Sequence, residues 1–242
     1  MSITYNKIHV HVRLGAIRAN YRLLSSKSGG EIIPVVKADA YGHGMAPVAQ
    51  ALHDEGARTF AAGTIEESCE LAEVLPDARI VSLLGPVDGV DADLLAKNGV
   101  VPFVGSAEQM DLAAEAAGRR TAPLDVCLKF DTGMSRLGFT LDDVPALLDR
   151  LKQTPKLRPV MASSHLACAD EPEHFEHVRK QGARFQAILD ALRRAGLNIQ
   201  GCLANSAGLL AHGALHHEAQ RPGIALYGVN PFHKTPMEDM GR

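Results

Sequence analysis

Val101-Pro102-Phe103-Val104-Gly105-Ser106-Ala107, continuing to Leu124-Asp125-Val126-Cys127-Leu128-Lys129-Phe130, spans one unit of a repeating plan. Val101–Val104 is short, apolar and closed by Gly105, which predicts a strand. Ser106 precedes apolar residues at three- and four-residue spacing, with Gln109 three positions on. That predicts a capped helix over Ala107–Ala117. Gly118 stands where a helix C-cap belongs. The second apolar run, Leu124–Phe130, predicts another strand. Strand, helix and strand in that order predict parallel pairing through a helical crossover.

The plan extends in both directions. Ile32–Val36, Thr59–Ala62, Arg79–Leu83, Leu157–Ser163, Asn198–Leu203 and Ile224–Tyr227 read as further strands. Met45–Glu55, Glu66–Leu75, Asp91–Lys97, Leu141–Lys152, Glu173–Ala195 and Ala207–Ala211 read as helices, with Pro172 opening the longest and Gly196 ending it. Amphipathic Ala16–Leu24 precedes the first strand and is expected to cap one end. Eight evenly spaced strands, with no Gly-rich first turn, predict a (β/α)8 TIM barrel rather than an open doubly wound sheet. The length of 242 residues suits such a barrel, usually about 250 residues long.

Composition narrows the function. Lys and Arg number 25 against 28 Asp and Glu, so the chain lacks the basic excess of a nucleic-acid binder. No apolar stretch is long enough to read as a membrane span, and no signal peptide is visible. Cys69, Cys127, Cys168 and Cys202 never form Cys-x-x-Cys, which argues against a disulfide framework or zinc site and for a cytoplasmic location.

In a barrel, catalytic groups are expected just after the strands. After the first run comes Lys37-Ala38-Asp39-Ala40-Tyr41-Gly42-His43-Gly44. Lys37 is either a lysine snorkelling into water or a desolvated amine suited to Schiff-base chemistry. Gly42-x-Gly44 is a poor dinucleotide fingerprint, because Pro47 takes the third glycine's place. After the fifth run, Lys129, Asp131 and Arg136 share a glycine-containing loop. Arg136 either grips a phenolate or carboxylate, or pairs with Asp131. His165 follows the sixth run, as a ring contact, proton shuttle or structural histidine. Cys168 reads as a small buried residue. After the seventh run, Asn205 or Ser206 caps a helix whose start would attract phosphate. Arg221-Pro222-Gly223-Ile224 leads into the eighth run, and Gly223 leaves its peptide N–H accessible. His212, His216 and His217 have helical spacing but no matched metal motif. His174 and His177 read as a solvated helix face.

Taken together, these motifs resemble the alanine racemases, fold-type III enzymes that use pyridoxal 5'-phosphate. The resemblance rests on Val35–Gly44, Lys129-x-Asp131-Thr132-Gly133-Met134-x-Arg136-Leu137-Gly138, Ser164-His165-Leu166-Ala167-x-Ala169-Asp170, Asn205-Ser206-Ala207 and Arg221–Gly228. It implies that Lys37 holds the cofactor as a Schiff base. It further implies that Tyr41, Ser206, Gly223 and Ile224 bind the phosphate, and that His165 and Arg221 face the ring. Arg136 would face the cofactor's phenolic oxygen and the substrate carboxylate side, while Lys129, a carbamate in some members, and Asn205 give support. The implied reaction is two-base interconversion of L- and D-alanine, supplying D-alanine for bacterial peptidoglycan, by a cytoplasmic homodimer. Neither nucleic acid nor membrane is an expected partner.

The implied domains are a cofactor-binding barrel over residues 1–230 and, at 231–242, the start of a connection to a C-terminal β-domain. The family's second base, a tyrosine, comes from that domain of the partner subunit and has no counterpart in this sequence. A truncated chain with little or no activity is therefore expected. The alternatives are a racemase of broader specificity, a non-catalytic pyridoxal-phosphate carrier with a single barrel, and a purely structural module.

Overall fold

The computed structural model describes residues 10–232. The strands are β1 (Glu31–Ile32), β2 (Thr59–Ala62), β3 (Arg79–Ser82), β4 (Val101–Val104), β5 (Leu124–Lys129), β6 (Leu157–Ser163), β7 (Gln200–Cys202) and β8 (Ala219–Gln220). All pair in parallel, in the order β1-β8-β7-β6-β5-β4-β3-β2. The two ends of that order meet. Val36 N–H donates to Ala61 O and Ala61 N–H to Pro34 O, both at 2.9 Å, which closes the sheet into a barrel.

The helices are α1 (Leu14–Lys27), α2 (Lys37–Gly42), α3 (Met45–Asp54), α4 (Ile65–Val74), α5 (Gly89–Lys97), α6 (Ala107–Gly118), α7 (Val144–Gln153), α8 (Phe175–Arg194) and α9 (Ser206–Ala211). Their apolar stripes pack on the outer face of the strands. Val35, Val81, Phe103, Met161 and Cys202 are among the side chains filling the barrel's interior. The expected barrel is thus present, and β2, β4 and β6 keep the limits expected from the sequence. At α6, Ser106 accepts a hydrogen bond from Gln109 N–H, as the cap signal predicts.

Three expectations are corrected. Ile224–Tyr227 is a 3-10 turn rather than the eighth strand. Its carbonyls are taken up locally, with Gly228 N–H donating to Ala225 O at 3.2 Å and Val229 N–H to Ile224 O at 3.2 Å. Upstream Ala219–Gln220 forms the strand, and Arg221, Gly223 and Ile224 therefore follow it. Second, α1 does not cap an end. It packs beside α3 and α9, in the outer-ring position of an eighth crossover helix, and Asn20 donates to Leu226 O at 3.0 Å. Third, α7 begins at Val144 because the Asp143 carboxylate closes a turn on Thr140 N–H and Oγ1. The expected connecting segment lies mostly outside the described residues.

Candidate active site

A cavity of about 520 Å³ opens at the C-terminal ends of the strands. All ten residues to which the resemblance gives a role line it: Lys37, Tyr41, Lys129, Arg136, His165, Asn205, Ser206, Arg221, Gly223 and Ile224.

Lys37 begins α2, and the four residues after it turn the unusual way. Ala38, Asp39, Ala40 and Tyr41 have φ between 51° and 54°. Left-handed backbone costs an L-residue about 1–2 kcal/mol, so outside contacts must hold this turn in place. Asp39 supplies one, as its carboxylate accepts from Met45 N–H at 2.6 Å. Its carbonyl accepts from Gly44 N–H at 3.0 Å. Tyr41 sits against Tyr227, with ring centroids 5.0 Å apart. Tyr227 in turn donates to Val35 O at 2.9 Å.

The opposite wall is made by the turns after β7 and β8. Asn205 caps α9, accepting from Gly208 N–H at 2.9 Å. Ser206 Oγ accepts from Gly223 N–H at 3.0 Å and Ala225 N–H at 3.3 Å. Both hydroxyl lone pairs are then used, and only its proton remains to offer a ligand. The Gly223 N–H, expected to serve a ligand, is engaged by Ser206 in this structure. The Ile224 N–H has no partner among the described residues. A Cβ on Gly223 would lie 2.5 Å from the Tyr41 hydroxyl oxygen, so only glycine lets the two walls approach.

The floor is cationic. Arg221 is 6% exposed. It donates to Cys202 O at 3.0 Å, Cys202 Sγ at 2.8 Å and Ser164 O at 2.7 Å, and forms no ion pair among the described residues. Lys129 is buried and donates to Phe130 O at 2.8 Å. Burial first, then the Arg221 charge, lowers the Lys129 pKa to about 8. Burial, with Arg221 next, pushes His165 down to about 3, so its ring is neutral at neutral pH. Burial raises the Tyr41 pKa. Asp131 does not pair with Arg136. Its Oδ1 accepts instead from the N–H groups of Gly133, Met134 and Ser135, which shapes the loop carrying Arg136.

The Lys129 shift has a testable sign. Its folded pKa lies below its unfolded one, so between about pH 8 and 10.5 the unfolded chain binds more protons and stability rises with pH. Lys129→Met removes the buried amine, and Phe130 O keeps the Ser164 hydroxyl as donor at 2.9 Å. Urea unfolding is expected to show the variant more stable at pH 7. That advantage shrinks as pH climbs through this window. An advantage independent of pH would contradict the assignment.

Other sequence candidates lie elsewhere. Cys168, His212, His216 and His217 are not on the cavity wall. No cluster of His, Cys, Asp and Glu suited to a metal occurs among the described residues. His174 pairs with Glu171 at 3.0 Å on an exposed helix start.

Several supporting residues escape a reading by motif. Buried Gln181 on α8 donates to His165 O at 3.0 Å and accepts from Ala167 N–H at 2.9 Å, fixing the turn after β6. No local pattern marks it. Glu67 accepts backbone hydrogen bonds from Asp39, Gly63 and Thr64. A visible signal existed there, because Thr64-x-x-Glu67 is a capping box.

Comparison with known proteins agrees with this geometry. The family model described as "Alanine racemase, N-terminal domain" matches residues 12–231. An alanine racemase of Nitratidesulfovibrio vulgaris (strain DSM 19637 / Miyazaki F) is 50% identical, over 100% of this chain and 64% of the relative. One from Lawsonia intracellularis is 34% identical, over 98% of this chain and 63% of the relative. The chain thus spans less than two thirds of the length of these relatives. Among solved structures, the biosynthetic alanine racemase from Pseudomonas aeruginosa superposes with a TM-score of 0.84 at 37% identity, covering 93% of this chain and 60% of that one. The alanine racemase from Bartonella henselae with covalently bound pyridoxal phosphate gives 0.83 at 32% identity, covering 95% and 62%. A barrel carrying every expected wall residue, matched along nearly its whole length, places the chain in the alanine racemase family.

Proposed function

We propose that this chain is the cofactor-binding barrel of an alanine racemase, holding pyridoxal 5'-phosphate through Lys37. One observation carries the reading. Two lysines, two arginines, a neutral histidine and a donor-only serine converge on a single cavity at the strand ends. The wall fits the cofactor. Its net positive charge suits a phosphate and a phenolate. Ser206 Oγ–H and Ile224 N–H are donors with no other acceptor described, beside Tyr41 at the glycine-permitted approach.

Bound there, the cofactor would withdraw electrons from the amino acid and weaken its Cα–H bond. The protein's own groups divide the rest. Lys37 Nζ holds the cofactor and moves the proton on one face of Cα. Arg136 faces the substrate carboxylate. Arg221, always charged and lacking a carboxylate partner among the described residues, opposes protonation of any basic nitrogen set against it. Neutral His165 offers a flat face without adding charge. Tyr41 is the single tyrosine on the described wall, and the second base implied by the resemblance lies outside the described residues.

The reading extends to D-alanine supply for peptidoglycan, by a cytoplasmic homodimer with the barrel as its first domain. No described helix is long and apolar enough to cross a membrane. The direct test adds pyridoxal phosphate to the purified chain, reduces with borohydride and maps the label by mass spectrometry. A pyridoxyl group on Lys37 is expected, together with alanine Cα deuteration in heavy water by the whole protein. Label scattered over surface lysines would overturn the cofactor reading. Turnover of serine or lysine ahead of alanine would overturn the substrate.

A further inference from the structure

The backbone around Lys37 is held by a residue outside the cavity wall. Glu67 is the third residue of α4, and its place in a capping box accounts for the bond from Thr64 N–H at 3.3 Å. A cap requires nothing more. Yet Glu67 Oε2 also accepts from Gly63 N–H at 2.9 Å, and Oε1 accepts from Asp39 N–H at 3.3 Å. Asp39 lies in the left-handed turn after Lys37, and Gly63 in the turn after β2. A Cβ on Gly63 would lie 3.1 Å from Lys37 Cβ and 2.9 Å from Glu67 Oε2, so the glycine sits closely between the lysine and the carboxylate.

We propose that Glu67 is a positioning residue for Lys37: its carboxylate ties the turn after the lysine to the turn after β2 and so aims Nζ into the cavity. The inference rests on the cofactor reading above. Four left-handed residues in a row do not hold themselves, and a carboxylate bridging two loops supplies an anchor. The two-oxygen acceptor is essential. In Glu67→Gln, whichever way the amide flips, one arm turns N–H donors toward a backbone N–H. Glu67→Asp keeps the charge but is one methylene shorter.

The experiment compares the unaltered chain, Glu67→Gln, Glu67→Asp and Thr64→Ala. It reads amide hydrogen exchange at Asp39 and Gly63 and the rate of pyridoxal-phosphate labelling at Lys37, trapped with borohydride. Both Glu67 variants are expected to exchange those amides roughly tenfold faster and to label roughly tenfold more slowly, as loss of a charge-assisted bond implies. Thr64→Ala removes the helix cap and leaves both loop ties. It is expected to lose stability and label within about twofold of the unaltered chain, since capping acts on the helix end. Labelling of both Glu67 variants at the unaltered rate, or equal slowing in Thr64→Ala, overturns the proposal. If the unaltered chain takes no label, the cofactor reading fails, and the exchange rates alone decide whether Glu67 pins the turn. Should Glu67→Gln not fold, Glu67→Asp carries the comparison.

Discussion

Lys37→Ala is expected to abolish covalent pyridoxal-phosphate uptake and, in the whole protein, alanine racemisation. The lysine stands at the start of α2 with its side chain on the cavity wall. In the proposed function two roles converge on one nitrogen, holding the cofactor and moving a proton. Loss of an acid–base group alone typically costs about 10²–10⁴ in rate, and loss of the covalent anchor adds to it. Lys129, the other lysine on the wall, is not expected to substitute. Its Nζ is engaged with Phe130 O at 2.8 Å. Lys129→Met is therefore expected to keep the label on Lys37. Mass mapping of the reduced protein checks both variants, and label surviving Lys37→Ala would show that another lysine holds the group.

The second large effect is on folding. Gly138 has φ of +121°, and an added Cβ would lie 2.5 Å from Phe130 C, 2.7 Å from Asp131 N and 2.8 Å from Lys129 O. All three atoms are main chain at the end of β5, where Asp131 N–H donates to Phe139 O and Phe139 N–H to Lys129 O. None can yield without breaking that pairing. Gly138→Ala is thus expected to cost about 2–5 kcal/mol from overpacking and disfavoured backbone together. Arg136 and Leu137 would also leave their places on the cavity wall. Gly118→Ala is the control, because nothing lies within 4 Å of its added Cβ. Urea unfolding of both variants is the measurement. Equal midpoints would mean that the loop relaxes where the packing leaves no room.

The barrel was legible because its core strands are short apolar runs between turn residues. Thr59–Ala62 and Val101–Val104 are buried at every position, and no other element competes for them. The eighth strand was misread for the opposite reason. Ala219–Gln220 is brief and half polar. Gln220 is buried only because its amide donates to Ser28 Oγ at 2.9 Å and His217 O at 3.1 Å, partners distant in sequence or hidden in a turn. The louder apolar run, Ile224–Tyr227, coils before left-handed Gly228. The wall residues were legible through motifs, and the structure brings them together. The left-handed turn was not, since nothing in Ala38-Asp39-Ala40-Tyr41 forbids an ordinary loop. Its shape comes from contacts that exist only after folding.

The closure of the barrel also has a consequence for when the site comes into being. One wall, with Lys37 and Tyr41, is translated early. The other, from Asn205 to Ile224, is translated late. They meet only when β8 slots beside β1, with Glu31 N–H on Glu218 O and Ile33 N–H on Gln220 O, both at 2.8 Å. Such distant pairings form late, after the loop between them has been closed. A growing chain on the ribosome therefore carries Lys37 long before the opposite wall of the cavity exists. Under the proposed function, cofactor capture would signal that synthesis has passed the eighth strand.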